Sequence, residues 1–260
     1  MKKLLFALFC TAVIFTGCQK DPGYNVKVTG ADLASINGML KGTWVFPTQT
    51  LSVQDTSGKV LTPGAGDAAP ALQFDGTTKV NIMPDIKTVL NGTYSLSTLN
   101  GFIFLEINYP DKTNRQYQLL LVNNQMLKLT YSLPDVYYDS SDNAIVAYSV
   151  FNSEYKRQSS ADVTGGLVKV LVQSDSLFNV KVYAGHPDAS FTLLDSALNV
   201  TRLYTFSYVA KHNDHVIVDI VGSLPKTYFY AYYNGLPLSG EVNREPTTNE
   251  ITTGRGWIIP

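Results

Sequence analysis

The sequence predicts an all-β protein, an antiparallel barrel followed by a small β-sandwich. Three observations carry that expectation. From Gly42 onward the chain is a succession of short alternating or apolar runs, the pattern of strands with one buried face. The runs are broken by Asp75-Gly76, Asn91-Gly92, Asn100-Gly101, Pro110-Asp111 and Asn123-Asn124, and the Asn-Gly and Asp-Gly pairs favour tight hairpin turns. Only Ala31–Leu40 (ADLASINGML) reads as a short helix, with Asp32 or Thr29 placed to cap its start.

The first residues belong to a different layer of organisation. Lys2 and Lys3 are followed by an apolar run from Leu4 to Phe15 and by the small residues Thr16 and Gly17, the layout of a secretory signal over residues 1–17. The run is too short for a membrane span, which needs about 18 residues or more. Phe15-Thr16-Gly17-Cys18 resembles the bacterial lipobox, and the resemblance implies cleavage before Cys18, lipidation of Cys18 and attachment to a membrane through N-terminal acyl chains. Each buried methylene of such chains contributes about 0.8 kcal/mol. Residues 18–30 then form a tether. Gln19-Lys20-Asp21 resembles the tag with which Bacteroidota export lipoproteins to the outer face of the outer membrane, so the expected location is the outer membrane, facing the cell surface.

Removing residues 1–17 from the 260 leaves 243, enough for one large β domain or two of ordinary size. Lys2 and Lys3 leave with the signal, so 18 basic residues face 21 acidic ones and the mature charge is −3. Such a chain has no basic surplus for nucleic acid. Cys10 lies in the signal and Cys18 would be acylated, so no disulfide and no thiolate metal site is expected.

Residues 31–158 hold the runs TWVF, TLSV, ALQF, KVNIM, TYSLS, FIFLEINY, QYQLLLV, MLKLTYSL and AIVAYSVF. About nine strands joined by tight turns make a meander, which avoids exposed edges by closing into a barrel. In Met126–Leu133 the residues Leu127, Leu129, Tyr131 and Leu133 share one face, so that face is buried. Leu40-Lys41-Gly42-Thr43-Trp44 resembles the Gly-x-Trp opening of lipocalins and of the lipocalin-like domains of many Bacteroidota lipoproteins. Leu72-Gln73-Phe74-Asp75-Gly76 and Gly92-Thr93-Tyr94-Ser95-Leu96 fit the same order. The resemblance implies that Gly42 and Trp44 begin the first strand, that Trp44 plugs the closed end, and that Lys156 or Arg157 of the last strand packs over its ring. Thr56–Ala71, rich in Gly and Pro, is expected to form a large loop. A barrel of about eight strands either fills itself or holds one small ligand, and Tyr94, Phe102, Phe104 and Leu129 are the large residues expected inside.

Ser159–Gly166 (SSADVTGG) reads as a linker at residues 159–166. Residues 167–240 carry six or seven further strands, the count of a β-sandwich. Their ending, Tyr228–Gly235 preceded by Val216–Ile220, resembles the last strands of the immunoglobulin-like domains of Bacteroidota surface lipoproteins. Residues 241–260 read as a polar tail. Within Tyr228–Tyr233, alternation separates Tyr228, Tyr230 and Tyr232 from Phe229, Ala231 and Tyr233, either for packing or as an aromatic platform for sugars or proteins.

No stretch combines the residues that catalysis needs. His212-Asn213-Asp214-His215 lies at a turn, not on a helix that would aim both imidazoles one way. Asp135, Asp139 and Asp142 match no calcium loop and suit a polar hairpin tip. A Gly-x-Ser-x-Gly elbow is lacking. The expectation is therefore a non-enzymatic protein without cofactor or metal. Its partners would be the membrane and either a small apolar or amphipathic ligand in the barrel, a glycan or a partner protein. The alternatives are an accessory structural lipoprotein of an envelope complex with a filled barrel and, last, an enzyme.

Overall fold

The computed structural model describes residues 33–65, 69–160, 162, 166–174, 176–186, 190–221, 227–239 and 252–260. The signal, Cys18 and the tether lie outside these residues. Helix α1 (Leu33–Leu40) leads into nine antiparallel strands: β1 (Gly42–Asp55), β2 (Val60–Ala65), β3 (Ala71–Phe74), β4 (Lys79–Asp85), β5 (Thr88–Leu99), β6 (Phe102–Asn108), β7 (Asn114–Val122), β8 (Met126–Tyr138) and β9 (Ala144–Arg157). Each of β3 to β8 pairs with the next, and β1 pairs with both β3 and β9, so eight strands close into a barrel. β2 pairs with β1 from outside that ring. Thr56–Ala71 is thus no plain loop: Val60–Ala65 within it form β2, a hairpin partner for the second half of β1.

β1 also joins what the sequence presents as two runs. Its register against β9 shifts between Val45 and Thr48, and Phe46 adopts φ 51°, a left-handed conformation that β-carbon residues rarely hold. The bulge turns two consecutive side chains, Val45 and Phe46, to the outside, which an unbroken strand cannot do. Strain of that kind costs about 1–3 kcal/mol. Burial compensates: Phe46 meets Tyr232 edge-on with ring centroids 5.6 Å apart, and Val45, Leu171 and Tyr230 complete the cluster.

The second domain is built from β10 (Leu167–Ser174), β11 (Phe178–Gly185), β12 (Thr192–Val200), β13 (Leu203–Val209), β14 (His215–Val221), β15 (Thr227–Tyr233), β16 (Leu236–Pro237) and β17 (Thr252–Ile258). Two four-stranded sheets, ordered β13-β10-β15-β16 and β12-β11-β14-β17, enclose one core of Val168, Val170 and Val172 from the first and Val180, Val182, Val218 and Ile220 from the second. This is a sandwich, but its first and second strands lie in different sheets, whereas the constant-type immunoglobulin order puts them together. Aromatic alternation at the end of a domain reports burial and not pairing order, so that likeness extends to the sandwich alone.

The expected polar tail also needs correction. β17 pairs with β14 from Thr252 to Ile258, Trp257 and Ile259 are buried in the core, and the Ile259 amide donates to the Asp214 carbonyl at 2.8 Å. Trp257 and Ile259 alternate with exposed Ile258, a strand signature inside a segment whose polar first half hid it. The interval at 159–166 is likewise more than a spacer. Ser159 donates its amide and hydroxyl to the buried Asp162 carboxylate at 2.8 and 2.7 Å.

The two domains share a wall. Along β1, β3 reaches only Gly42–Trp44, which leaves β1 and β4 without a common neighbour beyond that point. Gly235 and Pro237 fill the interval: the Phe46 amide donates to the Gly235 carbonyl and the Ile86 amide to the Pro237 carbonyl, both at 2.9 Å. Gly235 has φ 84°, and a β-carbon there would stand 2.8 Å from that of Val45, so the approach requires glycine. The Tyr232 hydroxyl donates to the Pro47 carbonyl. Tyr228, Tyr230 and Tyr232 therefore pack on the barrel while Phe229, Ala231 and Tyr233 pack on the sandwich core, and both faces of that strand are used for packing.

Candidate functional site: the two ends of the barrel

At one end of the barrel lie the start of β1, the β3–β4 turn and the end of β9, and α1 plugs it. Ile36 and Leu40 of α1 enter the core alongside Trp44, which is wholly buried. A helix leaves its last carbonyls without intrahelical donors. Here side chains supply them: Trp44 Nε1 donates to the Leu40 carbonyl at 2.7 Å, Arg157 Nη1 to the Lys41 carbonyl at 2.6 Å and Arg157 Nη2 to the Met39 carbonyl. The Arg157 guanidinium carbon stands 4.5 Å from the centre of the Trp44 ring. Gly42, at φ 124°, leaves room for that guanidinium, since a β-carbon would come within 2.7 Å of Nη1.

Of the two basic residues expected over Trp44, Arg157 occupies the place. Lys156 points the other way, 5.8 Å from the Phe46 ring centre and 3.9 Å from Asp162, because neighbours on a strand face opposite sides. The same rule corrects the interior. Tyr94 and Leu129 are buried in the barrel core, but Ile103, Leu105 and Ile107 fill it from β6, leaving Phe102 and Phe104 on the outer face beside Glu106. Above the plug, Leu72, Ile82, Leu105, Ile107, Leu127 and Leu129 pack the lower barrel with their side chains all but inaccessible.

The opposite end is built from tyrosines and one arginine that the sequence reading did not single out. Tyr117 is buried, and its hydroxyl lies 3.1 Å from that of Tyr109. Tyr131 meets Tyr117 edge-on at 5.2 Å and stacks flat on Phe151, its cross-strand neighbour, at 4.5 Å. Arg115 lies over this group, 4.6 Å from the Tyr131 ring centre and 5.9 Å from that of Tyr109. Burial pushes the Tyr117 hydroxyl far above the usual phenol range, so it stays protonated. The signal for Arg115 was present in Asn114–Val122: it falls on the same alternate face as Tyr117 and Leu119, a cation on the apolar side of a strand.

Beyond this mouth the long strands β1, β8 and β9 project past the barrel with β2, because β8 and β9 stay paired to Tyr138 and Ala144. Leu51 and Val53 of β1, Phe151 of β9 and Tyr131 and Leu133 of β8 continue the interior face outward, and Leu133 is 48% exposed. The result is an apolar shelf with Arg115 at its base.

The remaining polar candidates have local partners. Asp139 accepts from the Ser141 and Asn143 amides at 2.8 and 2.9 Å at the tip of the β8–β9 hairpin, and Asp135 accepts from the Ser149 hydroxyl at 2.6 Å. Lys211 donates its amide to Asp214 at 2.9 Å, so the segment from His212 to His215 is a capped turn entering β14. Among the described residues no three histidine, cysteine or carboxylate side chains gather as a metal site would require.

These features define a class, an all-β protein with a closed eight-stranded antiparallel barrel plugged at one end and followed by paired sheets. Compared with known proteins, the sequence matches no family model and no curated protein.

Proposed function

We propose that the protein is a lipid-anchored, extracytoplasmic binding protein that holds a small apolar or amphipathic ligand at the open end of its barrel. The observation that carries this reading is the asymmetry of the barrel: α1, Trp44 and Arg157 plug one end, while the other opens onto the shelf of Leu51, Val53, Tyr131, Leu133 and Phe151. Apolar side chains left half-exposed beside the open end, with Ser149 and Asp135 the polar groups on the same face, suit a small-molecule site. The packed lower barrel supports a ligand held at the mouth over one held deep inside.

The anchor rests on Leu4–Phe15 and Cys18, and the outer-membrane location on Gln19-Lys20-Asp21. The role is non-catalytic. Native mass spectrometry of the protein purified from its host membrane should show a bound small molecule. A bare mass, together with failure to take up any apolar probe, would leave the accessory structural role, which the tightly filled lower barrel favours. Replacing Cys18 by Ser should abolish palmitate labelling and release the protein from membranes, and a variant that stays membrane-bound would remove the anchor. Protease added to intact cells should degrade a surface-displayed protein, whereas protection until the outer membrane is broken would place it on the periplasmic side.

A further inference from the structure

The mouth of the barrel carries a set of polar groups whose donors outnumber its acceptors. Arg115 is exposed, and among the described residues the two ion pairs are Lys128–Glu154 and Lys156–Asp162, so no described carboxylate forms an ion pair with it. Its neighbours are tyrosines. The Tyr117 and Tyr109 hydroxyls lie 3.1 Å apart, and the guanidinium lies over the rings of Tyr109 and Tyr131. The guanidinium carbon stands 4.6 Å from the centre of the Tyr131 ring, which itself stacks on Phe151, so an exposed cation sits beside the apolar shelf. A guanidinium fork near a phenol hydroxyl complements a planar anion that accepts at two oxygens.

We infer that this mouth recognises the carboxylate of a single-chain amphiphile, with the headgroup on Arg115 and Tyr109 and the chain along the shelf of Leu51, Val53, Leu133 and Phe151. The inference rests on the binding role proposed above and specifies its ligand class. A cationic head would meet Arg115 with like charge, and a neutral head would leave the guanidinium edge to water. The carboxylate alone uses both donors, while the apolar shelf supplies chain affinity that does not depend on charge.

The test compares decanoate, 1-decanol and decyltrimethylammonium, each below its micelle concentration, by isothermal titration of the full chain. Decanoate should bind about tenfold tighter than decanol or better, as hydrogen bonds to a charged partner imply, and decyltrimethylammonium should bind most weakly. Arg115→Gln should remove the preference for decanoate, bringing its affinity down to that of decanol, with the thermal midpoint lowered by no more than the small loss expected of an exposed contact. Arg115→Lys, which keeps the charge but loses the fork, should retain only part of it, and Tyr109→Phe should weaken decanoate alone. Equal affinity for all three compounds, or a preference that survives Arg115→Gln, would overturn the carboxylate assignment while leaving the binding role intact. Binding of none of them would overturn both.

Discussion

Two arginines lie over aromatic rings at nearly the same distance, 4.5 Å for Arg157 on Trp44 and 4.6 Å for Arg115 on Tyr131, at opposite ends of one barrel. Their stacking is alike and their hydrogen bonding is not. Arg157 donates to two backbone carbonyls at the end of α1, and its Nε is buried with no partner, so its charge is committed to holding a helix in place. Arg115 sits among hydroxyls at the mouth, exposed and outside any ion pair among the described residues. A cation whose N–H groups end on the backbone is part of the architecture, and an exposed one outside any described ion pair is available to a ligand.

The comparison breaks most easily at the plug. Trp44 is wholly buried and donates to the Leu40 carbonyl, so Trp44→Ala opens a cavity and orphans a helix carbonyl together. The expected loss is about 3–5 kcal/mol, read as a fall in the denaturation midpoint. A loss below about 1 kcal/mol would mean that the plug contributes little and that both ends of the barrel are equally loose.

The arginines themselves give the next largest effect and the most direct contrast. Arg157→Ala removes a desolvated cation–π contact and the donors to the Met39 and Lys41 carbonyls, which together should cost about 2–3 kcal/mol. Arg115→Ala removes an exposed contact of the same length and should cost less than about 1 kcal/mol. Chemical denaturation of the two variants side by side checks this. Equal losses would show that stacking distance alone governs both sites, and the division between an architectural and an available arginine would fall.

This contrast also marks what the sequence makes legible. The union of Trp44 with a basic residue at 156–157 is readable from the order of short motifs, because the plug needs both groups whatever surrounds them. The choice between Lys156 and Arg157 was readable too, since Tyr155 and Arg157 share the inward face and Lys156 does not. Phe102 and Phe104 mislead because both faces of FIFLEIN are apolar at their start. Glu106, on the same face as the two phenylalanines, holds the parity and marks their side as the wet one. Phe46 lies beyond this kind of reading: its left-handed backbone exists only because Tyr232, nearly two hundred positions on, buries the ring it turns outward. The mouth is hidden for a related reason. Tyr109, Arg115, Tyr131 and Phe151 come from the turn after β6 and from β7, β8 and β9, and only the registers of three successive hairpins bring them together.

The smallest effect expected separates the turns at the two ends. Asp75, in the β3–β4 turn beside the plug, accepts from the Thr77, Thr78 and Lys79 amides at 2.7, 3.1 and 3.0 Å and from the Thr77 hydroxyl at 2.5 Å. These bonds favour the carboxylate, those from Thr77 most, and hold its pKa down to about 2 against an ordinary 3.8. Asp111, in the turn by the mouth, accepts only from the Thr113 amide and hydroxyl, at 2.9 and 2.6 Å, and its pKa is lowered as well. A folded-state pKa below the unfolded one contributes stability that is complete above the unfolded value and is lost as pH falls through the folded one. The Asp75 contribution is therefore present above about pH 4 and disappears toward pH 2, and Asp75→Asn should flatten that part of the acid limb while leaving stability at pH 2 unchanged. Carboxyl-carbon NMR titration measures the two groups in one sample. Asp75 should be the later of the pair to protonate on acidification, because it has two more amide donors to lose. Protonation of both near the ordinary value would mean that the plugged end is no better ordered in solution than the mouth.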